Sequence, residues 1–153
     1  CASVAQKERH KRSPQKRWNL LLKRMESPEG RALYMWQQVR NKCRRSKKPM
    51  ICDLTVDWIL EKLKTGVCEA TGQTFDMRAE RELDWLPFSP SVDRINSDLG
   101  YTQDNCRIVF LSVNMAKNKW SEDGSMTTFY YLLKKQGFTI TPPDGWSPSP
   151  TNQ

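Results

Sequence analysis

Three side chains with oxygen donors stand close together in the chain: Asp93, Asn105 and Asn114, separated by twelve and nine residues. Hard divalent cations such as Mg2+ or Mn2+ take oxygen ligands, and one anionic and one neutral donor suffice when waters complete the shell. Asp93 and Asn114 form such a pair if the first lies on a β-ribbon and the second on a helix packed across it. A single divalent ion is then the expected cofactor.

The elements that would position these residues can be read from the surrounding pattern. Pro87 to Pro90 forces an extended entry, and Ser91 to Ile95 follows as a short strand with Asp93 at its centre. Asn96 to Tyr101, with Gly100, is a loop. Asn105 to Phe110 (NCRIVF) is a second strand, and Ser112 to Lys119 a short helix with Asn114 on it. Strand, loop, strand and helix are compressed into about 30 residues.

Upstream, Ser13-Pro14 and Ser27-Pro28-Glu29 each read as an N-cap followed by proline in the first turn. The first opens a helix carrying Trp18, Leu21, Leu22 and Met25. The second opens a helix from Pro28 to about Ser46, whose polar side and tail are basic and include Arg31. Asp53-Leu54-Thr55 caps a third helix with Val56, Ile59, Leu60 and Leu63 on one face, stopped by Gly66. Val67 to Phe75 is a small hairpin or extended piece, and Asp76 to Leu86 resists assignment. Ser121 opens a last helix that ends at Gly137. The fold class expected is α+β, with a basic helical extension over residues 1–50, the chemical unit over 51–137, and a disordered Pro-rich tail over 138–153.

The net charge of +8 is unevenly spread. Residues 1–48 hold 15 Lys/Arg against three Glu, while residues 49–153 hold 10 against 14 acids. Basic charge gathered in one third of a chain suggests a polyanion partner, most simply nucleic acid. Arg40, Lys42, Arg44, Arg45, Lys47 and Lys48 are the candidate contacts. No apolar run approaches the ~18–20 residues of a membrane span, so no membrane partner is expected. The polar segment Cys1 to Arg24 lacks the apolar centre of a secretory signal, and a cytoplasmic location is expected. Five cysteines (Cys1, Cys43, Cys52, Cys68, Cys106) form an odd set without a CxxC pair. Buried free thiols are expected in place of disulfides or a structural zinc.

The stretch PFSPSVDRINSDLGYTQDNCRIVFLSVNMAKNKWS, Pro87 to Ser121, resembles the HNH or ββα-metal (His-Me finger) endonucleases, phage-type members in particular. Upstream, LTVDWILEKLKTGVCEATGQTF, Leu54 to Phe75, resembles the helix and Cys-x-x-Thr-Gly turn that precede their core. The likeness covers about half the chain and rests on DRI, GYT, DN and VNxAK in that order. It implies a ββα-metal core wrapped by three or four helices, hydrolysing DNA phosphodiester bonds in the host-cell cytoplasm if phage-encoded. Asp93 then corresponds to the acidic metal ligand and Asn114 to the second ligand. Asn105 corresponds to the Asn that pins the loop and orients the base. Lys117 and Lys119 lie on the helix that enters the minor groove, and duplex DNA is the implied partner.

The chain departs from that pattern at the position after the acidic ligand, where the catalytic His is replaced by Arg94. A guanidinium stays protonated and cannot accept the proton of an attacking water. In relatives with the DRI form, a His on the second strand falls near Phe110. The one histidine here, His10, lies in the basic arm. Two repairs remain: metal-coordinated water as the nucleophile with Asp98 or Asp104 as a weak base, or Arg94 clamping the scissile phosphate while solvent is the base. General-base assistance is worth ~10²–10⁴-fold, so a nuclease built this way is slow.

Simpler roles stand beside these. Asp93 and Arg94 can be a salt-bridged strand pair, Asn105 a loop stabiliser, and Asn114 a helix contact. The alternatives to an HNH-type endonuclease or nickase are therefore a degenerate HNH-like DNA-binding or phage nucleoprotein-assembly protein, or a packaging component that uses its arm as a tether.

Overall fold

A computed structural model describes residues 14–78 and 86–148. His10, Cys1 and most of the unassigned stretch before Leu86 lie outside those residues. Among the described residues the fold is mixed α+β, with five helices and one two-stranded antiparallel sheet.

Helix α1, Pro14–Met25, buries Met25, while Trp18 stays exposed. Helix α2, Pro28–Arg45, starts where the Ser27 hydroxyl accepts the Gly30 N–H at 3.1 Å, with proline in the first turn and Glu29 beside the positive helix end. Its inner face carries Ala32, Met35 and Val39. Helix α3, Val56–Lys64, begins under the Thr55 cap and buries Ile59 and Leu63.

Strand β1, Pro90–Arg94, pairs with β2, Cys106–Phe110, in a register that sets Asp93 opposite Arg107 and Arg94 opposite Cys106. A single 3-10 turn, Gln103–Asn105, leads into β2. Helix α4, Leu111–Lys117, follows β2 directly and packs across both strands. Helix α5, Glu122–Lys135, is capped by Ser121 through the Gly124 N–H.

One core joins these pieces. Ala32, Met35 and Val39 of α2, Ile59 and Leu63 of α3, Val92 of β1, and Ile108 and Val109 of β2 form a continuous apolar cluster. Phe110 closes its far side, edge-on to Phe75 and Phe88. The piece between α3 and β1 docks on β2: Glu69 N–H donates to the Ile108 carbonyl, and the Glu69 carboxylate accepts the Ile108 N–H at 2.6 Å.

The apolar face of α2 belongs to the same core as the strands. Arg31, expected on the basic polar side, is buried and donates to the carbonyls of Met25, Met77 and Arg78. Residues 138–148 carry no helix or strand, yet they are fastened to α5. Trp146 donates its indole N–H to Asp123 and packs edge-on against Tyr130.

No described helix is long and apolar enough to cross a membrane.

Candidate functional site

The loop between the strands is held by Asn105. Its Oδ1 accepts the Asn96 N–H at 3.0 Å, and its Nδ2 donates to the carbonyls of Asn96 (3.0 Å) and Gly100 (2.9 Å). Gly100 is required at the next contact: a Cβ there would collide with the Ile51 carbonyl. That carbonyl accepts the Tyr101 N–H at 2.9 Å, so the loop is anchored to the segment before α3. Asn105 thus closes the loop with its whole amide.

Asp93 sits inside the strand–strand–helix unit, 2% exposed. Its Oδ2 accepts from Arg107 Nε at 3.0 Å across the ribbon, and its Oδ1 faces Lys117 Nζ of α4 at 3.1 Å. Lys117 Nζ also donates to the Arg94 carbonyl at 2.6 Å, and Arg107 Nη1 pairs with Glu122 of α5 at 3.0 Å. Burial works against the Arg107 charge, but Glu122 and then Asp93 outweigh it and hold its pKa above the ordinary value. Burying a carboxylate alone is costly, and here two cations neutralise it.

Lys117 is the clearest correction to the sequence reading. It was expected to face phosphate from α4, whereas the structure puts it 2% exposed against Asp93. The helix starts immediately after β2, which turns its fourth and seventh positions, Asn114 and Lys117, toward β1. Lys119, two residues past the helix, is exposed.

Asn114 lies one turn before Lys117 and faces the same strand. Its Nδ2 donates to Ser91 Oγ at 2.7 Å and to the Val92 carbonyl at 3.0 Å. Asp93, Arg94 and Asn114 all line a cavity of about 1180 Å³ between the α1–α2 pair and the β1–α4 face. The two expected metal ligands therefore border one space. On its rim is Asn118, whose backbone takes a positive φ of 51° right after α4 and whose carbonyl accepts from Ser97.

The Mg2+ or Mn2+ ion that the resemblance implies does not fit this donor set as it stands. Each Asp93 oxygen already faces a cation, and Lys117 is buried in the pair. A divalent ion ~4 Å from that ammonium would meet about 8 kcal/mol of repulsion at an effective dielectric of 20.

Arg94 points elsewhere. Its Nη1 donates to the Leu99 carbonyl at 2.9 Å, and its guanidinium lies over the Tyr101 ring, 4.9 Å from the centroid. Burial raises the Tyr101 pKa, and Arg94 pulls it the other way. Arg94 and Tyr101 also line a smaller cavity of about 520 Å³ together with Gln38, Asn41, Lys42 and Arg45 of α2. Among the described residues, no Asp or Glu lines it.

Of the expected basic contacts, Lys42 and Arg45 share that cavity. Arg40 is laid over the Trp36 ring at 4.5 Å, and Arg44, Lys47 and Lys48 are exposed nearby. Burial chiefly pushes the Cys43 and Cys106 thiols up to about 12. Cys43, Cys52, Cys68 and Cys106 are all free thiols.

Sequence reasoning missed Arg107 and Glu122 as partners of the site. The signal for Arg107 was its place in the strand opposite Asp93, which becomes visible only once the register is known.

Compared with protein-family models, with curated proteins and with solved structures, the chain matches none.

Proposed function

We propose that this chain is a DNA-binding protein built on an HNH-like ββα unit, with the duplex backbone seated in the basic cavity between α2 and β1. The observation that carries the reading is the grouping of Lys42, Arg45 and Arg94 around a space that no acid among the described residues lines. A guanidinium held by a carbonyl and a ring is set in advance to receive a phosphate, which lowers the ordering cost of the contact. The remaining exposed cations of α2 extend the positive field along the helix, and such fields attract polyanions from any sequence. Lys119, just past α4, is a further exposed cation.

DNA hydrolysis is the second reading, favoured because Asp93 and Asn114 border the same cavity. The missing general base and the occupied carboxylate argue for binding over cutting.

One pair of measurements separates the two. Retention of a fluorescent duplex should persist in EDTA and fall at least tenfold in a Lys42→Glu/Arg45→Glu variant. Mg2+- or Mn2+-dependent nicking of supercoiled plasmid, lost in Asp93→Ala and Asn114→Ala, would establish the nuclease instead. Equal retention by wild type and the charge-reversed variant would reject the cavity as the binding site.

A further inference from the structure

We infer that the Lys117 ammonium stands in for the divalent cation in this ββα unit, so that an internal charge closes the strands against the helix. The inference rests on the HNH-like reading of the β1–β2–α4 unit, and metal binding tests it separately from DNA binding. The ammonium takes two oxygens of the kind a hard cation takes. Lys117 Nζ meets a carboxylate oxygen of Asp93 at 3.1 Å and the backbone oxygen of Arg94 at 2.6 Å. These are hydrogen-bond distances, longer than the ~2.0–2.1 Å that Mg2+ demands of its oxygens.

The spacing explains how it gets there. Asn114 and Lys117 are one helical turn apart, so both reach β1 from the same side of α4. Asn114 takes the Ser91–Val92 end and Lys117 the Asp93–Arg94 end. The chain of charges then runs Lys117, Asp93, Arg107, Glu122, linking α4, β1, β2 and α5 with two cations and two anions. It is neutral as it stands. A divalent ion added to Asp93 would leave two positive charges unbalanced in a buried place, whereas removing the lysine would free one carboxylate oxygen beside the Asn114 side chain.

The test uses the full chain and MnCl2 alone as probe. Titration calorimetry and thermal unfolding, against NaCl of equal ionic strength, are run on wild type, Lys117→Met and Lys117→Gln. Wild type is expected to give no saturable heat and no metal-dependent rise in its unfolding midpoint. Either lysine variant should gain a saturable Mn2+ site and a rise of several degrees, both removed by adding Asp93→Asn. A saturable site in wild type that Asp93→Asn abolishes would overturn the inference. So would folded Lys117→Met and Lys117→Gln proteins that ignore Mn2+. If both variants are unfolded without metal, refolding on Mn2+ addition supports the inference and failure to refold rejects it.

Discussion

An asparagine turned into a loop must hand its amide hydrogens to acceptors, because an unmet buried polar group costs about 1–3 kcal/mol. Asn105 satisfies this with two carbonyls and returns one acceptance, and it is the side chain that sets the shape of residues 96–100. Asn105→Ala would leave the Asn96 N–H and the Gly100 carbonyl without these partners and the Asn96 carbonyl with the Leu99 N–H alone, in a partly covered place. The expected loss is about 1–3 kcal/mol in urea unfolding, with faster amide exchange at Asn96. A loss within ~0.5 kcal/mol, the scatter of ordinary surface substitutions, would mean that the loop holds itself. Asn105 was legible from sequence because its residue type and its place at a loop's end both point to backbone bonding. Lys117 was not. Lysine is almost never fully buried unless paired, and its partner lies 24 residues away, so nothing local marks it as internal.

At the scale of elements, caps and prolines carried most of the readable information. Ser27-Pro28, Thr55 and Ser121 each open a helix where their side chains can accept an amide, and all three do. Strand ends differ by a residue from the expected ones: β1 runs 90–94 rather than 91–95, and α4 begins at Leu111 rather than Ser112. What stayed hidden was how elements meet, since register and docking depend on partners far along the chain. The Glu69 bond to β2 is one such contact. The joint between α4 and β1 is another, and it can be measured. Lys117→Met leaves Asp93 with one of its two cations, and breaking a buried pair in this way costs about 3–5 kcal/mol. The double variant Asp93→Asn/Lys117→Met should lose less than the two single losses combined, by roughly 0.5–3 kcal/mol. Strictly additive losses from denaturant midpoints would mean the two side chains act separately.

For the whole molecule, the charge map and the core have to be taken together. The basic third of the chain, expected as a helical extension, also carries apolar residues. Ala32, Met35 and Val39 fix α2 against the strands, and Lys42 and Arg45 line one cavity with Arg94. Grouping of those three cations has a consequence that a tethering arm would not share. Each phosphate neutralised on a duplex contributes about −0.9 to the slope of log K against log salt. Lys42→Gln and Arg45→Gln should therefore each flatten the slope by about 0.9 while weakening all sequences alike. Arg94→Lys should behave differently. It keeps the charge and hence the slope, but it loses the planar fork and the Tyr101 face, so affinity should fall at every salt concentration. A lysine at position 94 that matches wild type would show that charge alone suffices there. Slopes unchanged by Lys42→Gln and Arg45→Gln would place the phosphate contacts elsewhere on the basic surface, because a cation that touches no phosphate releases no counterion when it is removed.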